Sequence, residues 1–329
     1  MKTPAGNTHL LSLLKKFTGR RIAVAGDFML DHFIWGRASR LSAEAPVPVV
    51  ECTSETYHPG GAGNVVANLA ALGAIVSPFG VVGRDRAGQS LARALKARGV
   101  AGVGLLAAGG RPTTLKLRIV ETGRRHQIAR VDTEISTPLP AKLAHRLAAA
   151  VLAGRFDAVI VSDYDKGVIT PEFLAALLPE LRRRRTPVFL DPRTRQPEIY
   201  CPISVMTPNR GETERITGIK IRDDDSLRAA GEALLNLTEG LAVLITLSDE
   251  GMVLIESGGR LQRIPTVSRE VYDVTGAGDT VIAAFALAYA AGATLADAAR
   301  IANYAAGIAV GHVGTVAPTI QELRDALAV

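Results

Sequence analysis

The sequence predicts an α/β protein with a doubly wound, mainly parallel sheet flanked by helices, together with a small antiparallel sheet. Short apolar runs alternate with helix-like stretches along most of the chain, as in repeated strand–helix units. The later runs are apolar almost without interruption, which is typical of parallel strands covered on both faces. Two segments break this rhythm and contain pairs of strand-like stretches, which predict the smaller sheet.

The first half of the chain contains two predicted strand–helix pairs. The stretch "RIAVAGD" is a strand rich in apolar residues that ends at Asp27, and "NVVANLAALG" is a helix. Gly73 closes this helix, because glycine readily adopts the left-handed conformation of a helix end. The next pair is the strand "AIVSPFGVVG" and the amphipathic helix "AGQSLARALKARG", which ends at Gly99.

The second half contains four further strand-like runs, with helical stretches such as "TPEFLAALLPELRRR" between them. The runs are "DAVIVSD", "TPVFLD", "ISVMTPN" and "LAVLITLSD". Each run ends in a carboxylate, amide or hydroxyl side chain. Any one of these could be an ordinary turn residue. Their repetition favours a shared cleft, because ligands bind outside the carboxyl ends of the strands in open parallel sheets.

Residues 31–58 and 111–132 are the two segments that look like strand pairs with polar turns. We expect them to form a small antiparallel lid, inserted in a single domain that spans residues 1–329. A sheet of this kind has one face without its own cover, so that face meets the cleft, solvent or another subunit.

Composition narrows the class of protein. The 329 residues are 47% apolar and 21% charged, which is typical of a globular protein. The net charge of +6 is diffuse and suits a small anionic substrate better than a nucleic acid. Cys52 and Cys201 are far apart, which predicts reduced thiols in the cytoplasm. The amino terminus has no apolar signal core, and the apolar run at 281–292 is too short to cross a membrane.

The stretch "DVTGAGD" near the carboxyl end predicts an anion site at the start of a buried helix. Gly276, Ala277 and Gly278 let backbone N–H groups approach a ligand, and the first turn of a helix favours phosphate. Asp279 beside them could accept a proton from a hydroxyl that attacks phosphorus. The alternative is an ordinary helix cap. The sequence contains neither GxxxxGK[ST] nor a GxGxxG after the first strand.

Three motifs resemble those of the ribokinase (PfkB) family of sugar kinases. They are "HPGGAGNVVANLAALG" at 58–73, "TPNRGET" at 207–213 and the carboxyl-terminal "DVTGAGDTVIAAFALA". They occur in the family's order, and the resemblance covers residues 21–318. It implies a ribokinase-like fold, an ATP- and Mg²⁺-dependent reaction, and phosphoryl transfer to a sugar.

Within that family the chain is most similar to bacterial heptose-7-phosphate kinases. The shared stretches are "GDFMLDHFIWGRASRLSAEAPVPVV", "TTLKLR", "SDYDKG" and "EVYDVTGAGDT". Gly60 and Asn64 are four positions apart, as in that subgroup, where the wider family has five. The resemblance implies phosphorylation of D-glycero-D-manno-heptose 7-phosphate at its anomeric hydroxyl, in ADP-heptose and lipopolysaccharide core synthesis. Many relatives carry a fused adenylyltransferase with an HxGH motif. This sequence contains no HxGH, so we expect the stand-alone kinase.

The resemblance assigns roles at the reacting end of the site. Asp279 would be the general base, and Gly276, Ala277 and Gly278 would form the anion hole. The sugar would be bound by the five residues Asp27, Asp31, Gly60, Gly61 and Asn64. Without the resemblance, Asp27 reads as a turn residue and Asn64 as a residue at the start of a helix.

Basic residues are candidates for the phosphate that the substrate already carries. Lys116 and Arg118 alternate on one face of a predicted lid strand. Surface strands commonly carry such residues, so a solvated role is the alternative. Asp163 and Lys166 follow a strand end near the expected path of the phosphates. Arg130 and Arg193 are weaker candidates.

At the nucleotide end, Asn209 and Glu212 match the family's Asn-x-x-Glu motif, which helps to place Mg²⁺, often through water. The adenosine would pack near Thr246, Ser248 and Gly251 after one strand, and near Asn303 and Gly307 on a late helix.

Two other functions stay open on the sequence. One is a different sugar kinase of the same fold, of the fructose phosphate or ribose type. Lys116 and Arg118 disfavour an unphosphorylated substrate such as ribose, which would not need them. The other is a non-catalytic sugar-binding regulator, which the intact "GAGD" disfavours. We also expect the lid to close over the sugar, and a homodimer joined through the lid sheets.

Overall fold

A computed structural model gives the structure of the chain and describes residues 5–100, 104–123, 126–193, 196–267, 272–312 and 314–328. The strands are β1 Arg21–Gly26, β2 Phe28–Leu41, β3 Pro48–Gly61, β4 Ile75–Gly83, β5 Gly104–Ala108, β6 Thr114–Glu121, β7 Gln127–Thr133, β8 Ala158–Ser162, β9 Val188–Asp191, β10 Val205–Met206, β11 Ala242–Thr246, β12 Met252–Glu256 and β13 Leu261–Ile264. The helices are α1 Ala5–Leu14, α2 Ala62–Ala71, α3 Arg86–Lys96, α4 Ala141–Leu152, α5 Pro171–Arg183, α6 Arg210–Thr217, α7 Asp224–Thr238, α8 Ala277–Ala290, α9 Leu295–Val310 and α10 Ile320–Ala328.

The main sheet has nine strands in the order β13-β12-β11-β10-β9-β8-β1-β4-β5. The strands from β11 to β5 run parallel, and β12 and β13 join antiparallel at one edge. The chain first builds outward from β1 to β4 and β5, and then builds the other way from β8. The predicted doubly wound sheet is confirmed, with β10 shorter than the apolar run suggests.

The smaller sheet is confirmed and has the order β3-β2-β6-β7. Its two hairpins, β2–β3 and β6–β7, are antiparallel, as the sequence predicts. The central pair β2–β6 is parallel, so the whole sheet is mixed rather than antiparallel. The reason is that β4, α3 and β5 lie between the two hairpins in the chain. Residues 124 and 125 of the second lid segment lie outside the described residues.

Side chains of the main sheet alternate between its two faces and pack in two separate apolar cores. Ile22 and Val24 of β1 pack with α1, α2, α8, α9 and α10 on one face. Ala23 and Ala25 point to the other face, where α4, α5 and α7 pack. Burial on both faces explains why these strands read as continuous apolar runs.

The site is positioned by the change of direction between β1 and β8. These strands are parallel neighbours, and Gly26 at the end of β1 pairs with Ser162 at the end of β8. Connections leave the sheet in opposite directions at this point, which opens a crevice beyond the strand ends. Asp27 and Asp163 follow these two strands directly.

The apolar run at 281–292 is a core segment, as the sequence predicts. Residues Val281 to Ala288 of α8 are all buried in the protein interior. Among the helices that the structure describes, none has both the length and the apolarity needed to cross a bilayer.

Candidate active site

The start of α8 has the conformation that the glycine pattern predicts. Gly276 precedes the helix with a φ of 81°, in the left-handed region that favours glycine. A Cβ at this position would also lie 2.5 Å from Nδ2 of Asn64. A Cβ on Gly278 would meet no atom within 4 Å. The first-turn N–H groups of α8 therefore begin beside open space in which an anion can bind.

Asp279 lies in this first turn and is only 3% exposed. Asn64 donates a hydrogen bond from Nδ2 to its Oδ2 at 2.8 Å, and the Tyr164 hydroxyl donates to its Oδ1 at 2.7 Å. Burial raises the pKa of Asp279 to about 6, while the hydrogen bonds from Asn64 and Tyr164 act in the opposite direction. The carboxylate is therefore oriented, ionised at neutral pH and basic enough to accept a proton.

A series of hydrogen bonds between buried polar side chains supports the contact of Asn64 with Asp279. Asn68 donates from Nδ2 to the carbonyl of Asn64 at 2.8 Å, one turn earlier in α2. Thr280 of α8 donates its hydroxyl to Oδ1 of Asn68 at 2.9 Å. These contacts tie α2 to α8, so Asn64 is held against Asp279 in this structure.

Asp27 is buried and accepts hydrogen bonds from the loop that follows β8. Its carboxylate accepts N–H groups from Tyr164 at 2.8 Å, Lys166 at 3.2 Å and Val168 at 3.1 Å. Both carboxylate oxygens are thus engaged by the backbone. These contacts show that Asp27 positions the loop after β8, and the sugar contact that the sequence predicts stays a prediction.

Asp163 and Lys166 also have protein partners. Asp163 accepts the hydroxyl of Tyr200 at 2.5 Å and the N–H of Asp165 at 2.7 Å. Burial, together with the charge of Asp27, raises the pKa of Asp163 to about 7. The Lys166 ammonium lies 2.8 Å from Glu134, just after β7. Both side chains are thus engaged within the protein, and their expected place beside the path of the phosphates stays a prediction.

The lid contributes an acidic and a basic group to the cleft. Asp31 on β2 is 6% exposed and forms an ion pair with Arg118 on β6. The Arg118 guanidinium lies over the Phe33 ring, 5.1 Å from its centroid. A Cβ on Gly60 would lie 2.3 Å from Oδ2 of Asp31, so this glycine makes room for the carboxylate. Gly61 has a φ of 55° and a similarly close approach to the Asp27 carbonyl.

A cavity of about 250 Å³ separates the lid from the loops around α8. Its lining includes Asp31, Trp35 and Arg118 from the lid, and Thr275 and Thr315 from the body. Asp31 and Lys116 are register partners across β2 and β6, so Lys116 shares the face of the sheet that carries Asp31. Within the described part of the chain, the Lys116 ammonium makes no ion pair. The cavity thus combines carboxylates, the Arg118 guanidinium and an aromatic wall, and Lys116 lies on the same face of the lid without being part of the cavity lining.

Asn209 and Glu212 form a capping box at the start of α6. The Oδ1 of Asn209 accepts the N–H of Glu212, and Oε2 of Glu212 accepts the N–H of Asn209, both at 2.9 Å. Glu212 Oε1 lies 3.6 Å from Nε of Arg193. The Arg193 guanidinium is also 5.4 Å from the centroid of the Tyr164 ring. Arg193 therefore lies between the Asn-x-x-Glu motif and the hydroxyl that holds Asp279.

The donor set suits a Mg²⁺ ion that keeps most of its waters. Burial and the charges of Glu212 and Asp279 raise the pKa of Asp191 well above its usual value. A nearby cation would relieve this crowding of negative charge. Among the described residues, no three His, Cys, Asp or Glu side chains lie close enough to hold a metal directly. Mg²⁺ prefers oxygen ligands and keeps several waters, so Glu212 and Asn209 fit as outer partners.

The residues expected around adenosine fall into two groups. Thr246 at the end of β11 forms an isolated bridge with Asn209 and donates its N–H to the Pro208 carbonyl at 3.0 Å. Ser248 and Gly251 lie in the following turn, with φ values of 56° and 88°. Asn303 is buried in α9 and donates to the Pro265 carbonyl at 2.8 Å, and Gly307 lies one turn further on, half-buried. Residues 268–271, between β13 and α8, lie outside the described residues.

Sequence reasoning missed four residues that organise this site. Tyr164 donates to Asp279. Asn68 donates to Asn64, and Thr280 donates to Asn68. Asp273 accepts the N–H groups of Thr275 at 2.9 Å and Gly314 at 3.0 Å. The available signal was the "SDYDKG" stretch, in which Tyr164 stands between two residues that the sequence analysis did select.

The chain is similar to known proteins over most of its length. The family model described as "pfkB family carbohydrate kinase" matches residues 20–322. The chain is 46% identical to the bifunctional protein HldE of Citrifermentans bemidjiense, over 95% of this chain and 64% of that protein. It is 45% identical to the bifunctional protein HldE of Geobacter sulfurreducens, over 92% of this chain and 62% of that protein. The chain thus spans a little under two thirds of the length of these relatives.

Solved structures share the fold at low sequence identity. A ribokinase of Arabidopsis thaliana, complexed with ribose and ATP, matches with a TM-score of 0.75 at 19% identity, over 95% of this chain and 99% of that one. Phosphofructokinase-2 of Escherichia coli, in complex with substrates and products, matches with a TM-score of 0.78 at 18% identity, over 94% of this chain and 98% of that one.

Proposed function

Since the chain belongs to the pfkB family of carbohydrate kinases, we propose that it transfers the γ-phosphoryl group of ATP to the anomeric hydroxyl of D-glycero-D-manno-heptose 7-phosphate. The products are heptose 1,7-bisphosphate and ADP, on the route to ADP-heptose and the lipopolysaccharide core. The similarity to proteins named HldE supports this choice of sugar. The observation that carries the proposal is the buried carboxylate of Asp279 beside the open first turn of α8.

In the proposed reaction, Asp279 accepts the proton of the anomeric hydroxyl as its oxygen attacks the γ-phosphorus. The bond between that phosphorus and the β,γ-bridging oxygen breaks, and ADP leaves. The N–H groups that follow Gly276 receive the charge that develops on the phosphoryl oxygens. Such a transfer depends chiefly on positioning and charge stabilisation, which a buried base and a helix start provide together.

We assign the sugar to the lid cavity. Asp31 can accept hydrogen bonds from adjacent hydroxyls, and Gly60 leaves room for its carboxylate. Arg118 and Lys116 would meet the phosphate that the substrate already carries, since both share the cavity face of the lid with Asp31. Arg118 is already paired with Asp31, so Lys116 supplies the charge that is left to neutralise.

ATP would lie along the carboxyl edge of the sheet, from α8 toward β11 and α9. Asn209 and Glu212 would hold Mg²⁺ through water, and the ion would neutralise charge on the phosphates when bound. Arg193 stands beside Glu212 with half of its side chain exposed, where it can meet a phosphate oxygen. The free thiols Cys52 and Cys201 support our placing the reaction in the cytoplasm.

We further propose a homodimer joined through the outer face of the lid, which we define by His32, Ile34, Tyr57, Leu117, Ile119 and Val131. These residues alternate with the cavity-facing ones in the strand register. Tyr57 is 42% exposed and Val131 is 56% exposed, so this face of the lid leaves apolar surface in contact with solvent. A second copy of this sheet would cover them.

The test is an ADP-release assay with Mg-ATP and a panel of acceptors: heptose 7-phosphate, free heptose, fructose 1-phosphate, fructose 6-phosphate and ribose. We expect heptose 7-phosphate to have the highest kcat/KM.

Lys116→Gln should raise the KM for heptose 7-phosphate about tenfold and leave the KM for free heptose unchanged, with Lys142→Gln on α4 as the matched control. Preference for a fructose phosphate or ribose would reject the heptose assignment and keep the kinase. Binding without turnover would favour a regulator.

A further inference from the structure

Tyr164 contacts the carboxylate of Asp279 directly. It lies in the loop after β8, partly buried, and its hydroxyl donates to Oδ1 of Asp279 at 2.7 Å. Asn64 donates to the other oxygen, Oδ2, at 2.8 Å. The two donors come from opposite sides of the crevice and fix the rotation of the Asp279 carboxylate. Each oxygen keeps a second lone pair with which to accept a substrate proton.

The loop that carries Tyr164 is itself held firmly. Asp27 accepts its N–H at 2.8 Å and the N–H groups of Lys166 and Val168 further along the loop. Arg111 donates to the carbonyls of Thr137 and Lys166, which fastens the loop to the chain after β7. Because the buried Asp27 carboxylate accepts three N–H groups of the loop, these hydrogen bonds restrain the conformation of the loop. The contacts of Asp27 and Arg111 with the loop thus fix the position of the Tyr164 hydroxyl.

Charged groups of the lid and of the segment at the end of β9 act on Asp279. Asp31 of the lid raises its pKa and Arg193 lowers it, after the larger effects of burial, Asn64 and Tyr164. Asp191 at the end of β9 is close enough for the two carboxylates to repel. Arg193 also lies over the Tyr164 ring. Tyr164 therefore links the acceptor side of the crevice to the side that we assign to the phosphates.

We propose that Tyr164 is a positioning residue for phosphoryl transfer: its hydroxyl aims the Asp279 carboxylate at the acceptor hydroxyl and keeps it ionised within the buried site. This inference rests on the proposed function, in which Asp279 is the base. Loss of the Tyr164 hydrogen bond would leave a carboxylate that is free to rotate and easier to protonate. Both effects lower the rate, and the second does so most strongly at low pH.

The experiment compares Tyr164→Phe with wild type in the ADP-release assay from pH 5 to pH 9. Tyr289→Phe is the matched control, since it removes one hydroxyl further along α8, where the ring packs against Phe189. We expect kcat of Tyr164→Phe to fall about 10- to 100-fold at pH 7. The acid limb of kcat should move up by about one pH unit, with partial recovery at pH 8 to 9. Tyr289→Phe should retain the wild-type profile.

One further variant keeps the test independent of folding, and one further measurement keeps it independent of catalysis. Incorporation of 3-fluorotyrosine at position 164 keeps the ring and hydroxyl but makes the donor more acidic, so the acid limb should move down. Carbon-13 titration of the aspartate carboxyls, assigned with Asp279→Asn, reports the Asp279 pKa without any turnover. That pKa should rise in Tyr164→Phe even if the protein phosphorylates another sugar.

An unchanged Asp279 titration in Tyr164→Phe would overturn the inference, as would a fall in kcat that is equal at every pH. Failure of the proposed function has a different signature, because wild type would then release no ADP with any acceptor. The carboxyl titration would still decide the role of Tyr164 in that case.

Discussion

At the scale of single residues, the site depends on opposing effects on one carboxylate. Removal from water favours the protonated form of Asp279, and two donated hydrogen bonds favour the ionised form. The resulting pKa of about 6 lies close to neutral pH, where a general base combines ionisation with proton affinity. A carboxylate in water would be ionised but would accept a proton less readily.

Gly276 can be tested because it meets two constraints at once. Gly276→Ala forces a side chain into the left-handed region and brings a Cβ within 2.5 Å of Asn64 Nδ2. We expect a loss of about 2 to 3 kcal/mol in the free energy of unfolding and a fall in kcat of at least tenfold, because Asn64 must leave Asp279. Urea denaturation and the ADP-release assay measure the two effects.

Gly292→Ala is the matched control for this substitution. Gly292 follows the other end of α8 with a φ of 93°, and a Cβ there would meet no atom within 4 Å. It should lose about 1 kcal/mol from backbone strain alone and retain kcat. A Gly276→Ala protein with wild-type kcat would show that Asn64 does not need to hold Asp279.

The residues that sequence reasoning placed best are those whose role is local. Gly276 and Asp279 belong to one turn, and backbone conformation and helix polarity follow directly from that turn. Asp27 and Asn64 were placed in the site, but their partners lie 137 and 215 positions away in the chain. Such partners depend on which strands become neighbours, which no local pattern specifies. Tyr164 was missed for the same reason.

At the scale of elements, apolar runs predicted the strands of the main sheet because burial on both faces leaves a continuous signal. The parallel pairing of β2 with β6 was not predicted, because it depends on how the chain crosses between two hairpins through β4 and β5. The start of α6 was predicted as a nucleotide motif, and the structure shows that it is also a capping box.

Two capping boxes among the described residues, at the starts of α6 and α7, allow a controlled test of the α6 site. Asn209→Ala and Asp223→Ala each remove the side chain that caps a helix, at the starts of α6 and α7. Each should lower the free energy of unfolding by about 1 kcal/mol. Only Asn209→Ala should also raise the KM for Mg-ATP, by about tenfold, because only α6 begins in the proposed nucleotide path. Equal KM values for the two variants would remove Asn209 from the ATP site.

At the scale of the whole molecule, the lid has two faces with different tasks. The inner face carries Asp31 and Arg118 into the cavity, and the outer face presents apolar side chains without a cover in the monomer. The alternation of side chains on a strand makes both faces from the same four strands. The proposed dimer and the proposed sugar site would thereby share one sheet.

The dimer proposal predicts a loss of assembly when charge is placed on the outer face. Leu117→Arg should convert a dimer to a monomer in light scattering coupled to size exclusion. Leu241→Arg, at an exposed apolar site on the body of the protein, should leave the mass unchanged. A wild-type protein that is monomeric at micromolar concentration would reject the proposed interface.

The proposed role of Asp279 as the base in phosphoryl transfer to heptose 7-phosphate can be tested by kcat against pH for wild type and Asp279→Asn in the same ADP-release assay. Because the base acts in its ionised form, wild-type activity should be present above pH 6 and fall as pH drops through the pKa of about 6. Asp279→Asn should lose about 10²- to 10⁴-fold in kcat and show no such limb, while still binding heptose 7-phosphate. An Asp279→Asn protein that retains wild-type kcat and the same acid limb would contradict the account.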